Sequence, residues 1–251
     1  MENGFVKSKT SNNFGLITFG HPKSNSLPSE VLAKLAAEIR ALGENDKVRV
    51  IGIQSAGEKT FCAGASFDEL LSINNFETGK QFFSGFANVI NAIRKAPKFV
   101  VTRVQGKAVG GGVGLICASD YAFGTTEAAV KLSELALGIG PFVVGPAVER
   151  KVGKAAFNEM AIDYDWRDAI WAFNKGMFSD IFDTIDELDA AFADIIVKLA
   201  NSSPEAMKEL KRVLWEGTSD WDELLEKRAE ISGKLVLSDF TKDYINQFMT
   251  E

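Results

Sequence analysis

The sequence predicts an α/β protein, and three observations carry that prediction. Short apolar, β-branched runs occur at Val48–Gln54 and Phe99–Val104. Stretches with apolar residues at helical spacing lie between and after them, and small-residue turns join the two kinds of segment. Strands that alternate with helices pair in parallel through crossovers, so periodicity alone predicts a doubly wound sheet. A chain of 251 residues is long enough for one large domain, or for a domain with an extension.

The elements follow in order. Phe14–Phe19 alternates weakly and is predicted as a strand. From Pro28 to Leu42, apolar residues at Val31, Leu32, Leu35, Ala36, Ile39 and Leu42 mark one face of a helix. Pro28 suits its first turn and Gly43 its end. Asn75–Lys95 is predicted helical, with Phe82, Phe83, Phe86, Val89, Ile90 and Ile93 on one thick apolar face. Those phenylalanines are expected in the core, with one or two bordering an acyl tunnel. After Phe99–Val104 come a glycine turn, a helix to about Ser119 and a short strand at Asp120–Phe123. Pro141 and Pro146 stand near the start of a helix that runs to Val152 and ends at Gly153. Lys154–Phe173 is predicted largely helical, and a short extended piece follows Gly176–Phe178. From Asp186 onward the pattern is helical, with breaks at Asn201–Pro204 and Gly217–Ser219.

Bulk properties exclude several functions. Apolar residues make up 46% of the chain, enough for a real core, and the net charge is −6. A pI near 5.1 argues against electrostatic binding of nucleic acid, which needs a basic face. The two cysteines, Cys62 and Cys117, sit among small residues and are expected as buried free thiols. The single histidine, His21, precedes a proline and is expected in a turn. A Ser-His-Asp triad or a histidine-rich metal site therefore has no parts. Proton chemistry must rest on carboxylates, or on Lys, Tyr or Cys. The chain shows no signal-peptide pattern and no apolar run near membrane-spanning length, so the expectation is a soluble, cytoplasmic protein that does not enter membranes.

Gly110-Gly111-Gly112-Val113-Gly114 is the most informative stretch. It links the run Phe99–Val104 to the small apolar run Leu115–Ala118, which reads as strand, glycine loop, helix. The first amides of a helix lack intrahelical partners and carry partial positive charge. Such a turn can hold a phosphate or a developing oxyanion, or it can be a tight turn without a ligand. A dinucleotide fingerprint fails, because the sixth residue is Leu115 counted from Gly110 and Cys117 counted from Gly112. A phosphate-binding loop ending in Gly-Lys-Ser/Thr is absent. A second turn, Cys62-Ala63-Gly64-Ala65, follows the strand at Val48–Gln54. Two such turns can clamp one carbonyl oxygen between their amides.

With these segments in hand, the chain resembles the crotonase superfamily, the enoyl-CoA hydratases and isomerases. Glu58–Ala65 resembles the first oxyanion-hole segment and Val104–Gly112 the second. His21–Leu27 resembles an early turn of the family, Leu132–Ile139 its catalytic-acid segment and Ser203–Ala206 the start of a C-terminal helix. The resemblance spans roughly residues 14–240. It implies a spiral of ββα units over residues 1–185, followed by a helical region over 186–251 that builds homotrimers, often paired into hexamers. Leu210, Val213, Leu214, Leu224, Leu225, Ile231, Leu235, Val236 and Leu237 suit either such a subunit contact or packing within the chain.

The resemblance also implies roles. The amides of Ala65 and Gly111 form the oxyanion hole, and Glu134 is the acid/base group. An acyl-CoA substrate runs along Ala63, Ala65, Ser66 and Phe67 of the first turn, Gly111 and Gly114 of the second, and Pro141 and Phe142. The acidic chain leaves the CoA phosphates to local cations, with Lys59 a candidate contact. Glu149-Arg150-Lys151 is expected as a solvated helix end. Asp68 and Glu69 are expected as solvated acids at a helix start, the alternative being a carboxylate for the pocket. No metal, flavin or nicotinamide is implied, since proton transfer needs only the glutamate and the amides. Leu135, Ile139 and Phe142 are expected to desolvate Glu134 and raise its pKa.

The departure from the hydratase pattern is at Gly114. Family hydratases carry one glutamate at that position and a second at the position of Glu134. Adding water across a double bond divides the work between two carboxylates. Moving a double bond from carbon 3 to carbon 2 needs one base. Leu137–Phe142 also resembles the loop of 3,2-enoyl-CoA isomerases. The first expectation is therefore an isomerase. The rivals are a hydratase of branched substrates of the methylglutaconyl-CoA type and a CoA-thioester-binding protein without turnover.

Overall fold

The computed structural model describes residues 3–248. Its strands form two sheets. The large one contains β1 (Phe5–Ser11), β2 (Phe14–Gly20), β3 (Val50–Ser55), β5 (Phe99–Val104), β7 (Tyr121–Thr125) and β10 (Asp180–Phe182), in the order β1-β2-β3-β5-β7-β10. The small one contains β4 (Thr60–Cys62), β6 (Lys107–Val109), β8 (Ala129–Lys131) and β9 (Arg167–Asp168), in the order β4-β6-β8-β9. Only β1–β2 and β8–β9 are antiparallel.

Each turn of the chain lays one strand in each sheet. The path runs β3, β4, then α2 (Phe67–Ser72) and α3 (Phe76–Lys95); then β5, β6 and α4 (Gly111–Ala118); then β7, β8, α5 (Gly145–Val152) and α6 (Lys154–Asp163). It closes with β9, α7 (Ala169–Asn174) and β10. The strand order advances in one direction and never reverses, so the sheet is a spiral and not the doubly wound sheet that periodicity predicts. Period and composition mark a parallel strand, but they do not say which way the next crossover steps.

The core lies between the sheets and the helices. The helix α1 (Ser29–Glu44) buries all six residues of its predicted stripe. On the other face of the large sheet, Leu188, Phe192 and Ile196 of α8 (Ile185–Ala200) pack on Val50, Val101 and Phe123. The short helix α4 is buried on every face, as an all-apolar helix must be.

Several expectations need correction. Lys154–Phe173 is not one helix: α6 ends at Asp163, Tyr164 takes the left-handed conformation (φ 43°), and Arg167–Asp168 pairs as an edge strand with β8. Glu149 and Arg150 are exposed, as expected of a solvated helix end, but Lys151 is not. Lys151 is mostly buried and donates to the carbonyls of Ser119 and Asp120 at 3.1 and 3.3 Å. The Arg150 guanidinium lies 4.0 Å from the Trp215 ring centre. The exposed, polar strand β1 and the three-residue strands of the small sheet were not legible as strands.

The C-terminal helices are α9 (Pro204–Leu214), α10 (Trp221–Leu235) and α11 (Asp239–Phe248). Their apolar residues divide. Leu225 and Val236 are buried within the chain, with Leu224 and Leu237 packed against the same clusters. Leu210, Val213, Leu214 and Ile231 are exposed. Helix α10 lies along α3, where Gly79 meets Gly233 so closely that a β-carbon on Gly79 would stand 2.9 Å from the Gly233 carbonyl oxygen. No helix among the described residues is long and apolar enough to cross a membrane.

Candidate active site

The small sheet assembles the site. Strands β4, β6 and β8 are consecutive, parallel neighbours, so their C-terminal ends share one edge. Ala65 lies three residues past β4, Gly111 two past β6 and Glu134 three past β8. Residues separated by more than twenty positions in sequence are delivered to one place by register alone, at the strand ends where parallel sheets bind ligands.

Each arm is held. The first is anchored by the early turn. Asn25, 5% exposed, donates through Nδ2 to the carbonyls of Ala56 and Thr60, both at 2.8 Å, and its Oδ1 accepts from the His21 amide at 2.9 Å. His21 is thus the turn residue the sequence predicts. The Leu27 amide then donates to the Gly64 carbonyl, and the Ser66 amide donates to the Leu27 carbonyl. This bridge uses the groups on either side of Ala65 and leaves the Ala65 N–H outside the ladder.

The second arm is the start of α4. Gly110 has φ 51° and ψ −111°, a conformation open to glycine and costly for other residues. Gly111 follows in the first turn, where a helix leaves its N–H groups without intrahelical partners. A β-carbon on Gly111 would stand 2.1 Å from the Phe86 ring, and one on Gly112 would stand 2.7 Å from the Cys62 carbonyl oxygen. The glycines let the arms touch: a β-carbon on Gly64 would stand 3.9 Å from the Gly111 amide nitrogen.

Glu134 closes the site from the third strand. Its carbonyl accepts from the amides of Leu137 and Ile139 at 3.2 and 3.0 Å. The loop it begins is tied to α11 by the Thr241 hydroxyl, which donates to the Leu137 carbonyl at 2.8 Å. The side chain rests on the glycine turn, with Oε1 2.8 Å from where a Gly110 β-carbon would be. Oε2 is buried and has no hydrogen-bond partner among the described residues. Burial pushes the carboxyl up from 4.5 to about 7, while hydrogen bonds to the backbone of Glu134 and Ser133 oppose the shift. Ile139 and Phe142 stand beside it in the cavity wall, as expected, but Leu135 is 44% exposed and turns away.

A cavity of about 560 Å³ opens onto these groups. Ala63, Ala65, Phe67, Gly111, Glu134, Pro141 and Phe142 all line it. Three expected residues do not. Ser66 is buried and its hydroxyl caps α2 by accepting from the Glu69 amide at 3.3 Å. Gly114 lies beneath Val144: a β-carbon there would be 2.5 Å from Val144 Cγ1 and 3.5 Å from Ile90 Cδ1. Lys59 is exposed, and its backbone carbonyl accepts from the Lys107 amide. Phe82, Phe83 and Phe86 all border the cavity, more than the one or two expected. Ser232 and Tyr244 reach it from α10 and α11, which no local pattern announces.

The acids after the first arm are occupied. Asp68 pairs with Lys23 at the cavity rim. Glu69 accepts from the Ser29 amide and hydroxyl, at 2.9 and 2.6 Å through Oε2, and so caps α1; it is a partly buried structural acid and not a solvated one.

A two-sheet spiral thus brings two glycine-bearing turns and one carboxylate of raised pKa to a shared strand edge. Residues 9–248 match the enoyl-CoA hydratase/isomerase family, so the chain belongs to that family and has the crotonase fold. It is 30% identical over 219 residues to the mitochondrial methylglutaconyl-CoA hydratase of Rattus norvegicus, covering 84% of this chain and 69% of that one. It is 27% identical to the peroxisomal Δ(3,5)-Δ(2,4)-dienoyl-CoA isomerase of Arabidopsis thaliana, covering 83% and 79%. The crystal structure of an enoyl-CoA hydratase from Bacillus halodurans superposes with a TM-score of 0.88 at 20% identity, over 97% of this chain and 99% of that one.

Proposed function

We propose that the protein is an enoyl-CoA isomerase that moves a double bond from carbon 3 to carbon 2 of an acyl thioester, with Glu134 as its single acid/base. The observation that carries this reading is the solitude of Glu134. It is the one carboxylate lining the cavity among the described residues, and the position of a second acid, Gly114, is roofed by Val144 and Ile90.

The steps follow from the geometry. The thioester carbonyl lies between the Ala65 and Gly111 amides. Glu134, ionised, takes a proton from carbon 2, and the electron pair moves onto the thioester oxygen to give a dienolate. The two amides meet that charge without reorganising; one such donor is worth about 3–4 kcal/mol of activation energy. Glu134 then returns the proton to carbon 4, leaving the conjugated 2-enoyl thioester at unchanged mass. Desolvation of the carboxylate keeps its pKa near 7, where one group can both take and return a proton. No cofactor is required beyond the coenzyme A of the substrate. By the same reading three copies of the chain associate, singly or as paired trimers, with the exposed Leu210, Val213 and Leu214 of α9 available for contact.

Identity of 30% to a methylglutaconyl-CoA hydratase favours hydration as the second reading. Product analysis by mass decides between them. With 3-hexenoyl-CoA, a product of unchanged mass with new conjugated absorbance is expected, and neither 2-hexenoyl-CoA nor methylglutaconyl-CoA should gain water. Gain of one water on either conjugated substrate would make the protein a hydratase. Binding without any turnover would make it a thioester-binding protein.

A further inference from the structure

The two amide arms meet at one side chain that the mechanism does not use. Cys62 is fully buried at the end of β4. Its Sγ accepts from the Gly64 amide at 3.4 Å and reaches the Gly64 carbonyl at 3.9 Å. On its other side it bears on the second arm: a β-carbon built on Gly112 would meet Cys62 O at 2.7 Å, Cβ at 2.8 Å and Sγ at 3.2 Å. Gly64 precedes Ala65, and Gly112 follows Gly111. The thiol therefore bonds the residue before Ala65 and faces the space a side chain on the residue after Gly111 would fill. Gly64 has φ 92°, and its carbonyl is tied to the Leu27 amide, so the thiol adds a contact to its amide on the side away from that bridge. The pairing of β4 with β6 is also irregular between Thr60 and Cys62, which frees the arm from the ladder just before it is needed.

We propose that Cys62 is a positioning residue, a buried spacer that sets the separation and tilt of the Ala65 amide relative to the Gly111 amide. The inference rests on the reading of those amides as the oxyanion hole. Burial pushes the thiol up to about 12, so it stays protonated, neutral and able both to accept from and donate to Gly64. It acts through the amides and not on the substrate, since it does not line the cavity.

The test is the carbonyl stretch of a bound thioester, followed by infrared difference spectroscopy with and without a 13C label at the carbonyl. Two hydrogen bonds in a fixed geometry lower that frequency. Wild type should show a clear downshift of hexanoyl-CoA on binding. Cys62→Ala should lose part of the shift, with kcat reduced about tenfold and KM within twofold, as expected for misplacement of a group that acts at the transition state. Cys62→Ser, which keeps an acceptor on the same β-carbon, should recover most of both. A Cys62→Ala protein that melts earlier yet keeps the wild-type shift and kcat would reduce the residue to core packing and overturn the proposal. No downshift in wild type would sink the oxyanion reading itself, and this inference with it.

Discussion

Two acids largely withdrawn from solvent are treated in opposite ways. Asp120 sits at the head of β7 under the C-terminal helices. Its Oδ2 accepts from the Lys211 ammonium and, at 2.8 Å, from the Val100 amide, and its Oδ1 accepts from the Trp215 indole at 3.0 Å. Lys211 is 3% exposed, so the pair is dry, and both oxygens of Asp120 accept hydrogen bonds. Among the described residues Glu134 pairs with no cation, and one of its oxygens has no hydrogen-bond partner. A buried charge that is fully partnered ties elements together. One left short of partners has its proton affinity raised, and that is a chemical property rather than a structural one. The position of partners separates the strut at Asp120 from the base proposed at Glu134.

The largest expected effect lies at Glu134, the proposed base. Glu134→Gln should lower turnover of 3-hexenoyl-CoA by about 10²–10⁴-fold, the worth of a positioned acid/base, while binding of hexanoyl-CoA persists. Full activity in that variant would end the comparison, because Glu134 would then be only another buried acid. The strut should behave in reverse. Asp120→Ala leaves the Lys211 ammonium buried and unpaired, and should cost about 3–5 kcal/mol of stability in urea unfolding, with kcat of the folded fraction unchanged.

The pH dependence sharpens the contrast. The folded-state pKa of Glu134 is raised, so the folded protein holds a proton that the unfolded chain releases. Below about pH 4.5 both states are protonated and the group contributes nothing. Between about 4.5 and 7 the unfolded chain ionises first, so stability falls as pH rises, by about 3 kcal/mol in all above pH 7. Glu134→Gln should therefore be more stable than wild type at pH 8 and no more stable at pH 4. The pH–rate profile of wild type should fall on the acid side with an apparent pKa near 7, where the base becomes protonated. A limb near the ordinary glutamate value would mean that the carboxylate is solvated in the working enzyme.

The smallest effect tests whether the strut is needed as a charge pair at all. Asp120→Asn combined with Lys211→Met removes both charges at similar volume. It should recover much of the loss of Asp120→Ala and end within about 1–2 kcal/mol of wild type. A double variant as unstable as the single one would show that the Trp215 and Val100 hydrogen bonds carry the strut.

Helix and strand positions with clear periodicity were legible: the stripe Val31 to Leu42, the buried strands β3 and β5, and the aromatic face of α3 all stand where spacing puts them. The small sheet was not, because strands of two or three residues hold no period to read. Lys151 was misread because a charged tripeptide looks solvated until the carbonyls that receive it, at Ser119 and Asp120, are brought in from elsewhere. Tyr244 and Ser232 enter the cavity for a similar reason: helices α10 and α11, distant in sequence, bring them there.

The chain by itself determined the α/β class, the pair of small-residue turns and the absence of an acid at position 114, since each of these is a property of neighbouring residues. What only the tertiary structure decided is where those residues meet. The parallel register of β4, β6 and β8 brings Ala65, Gly111 and Glu134 to one edge, Phe86 and Val144 pack down on the glycines, and the burial that follows raises one carboxylate's pKa. Proximity and desolvation are sums over residues far apart in sequence, so no local pattern contains them.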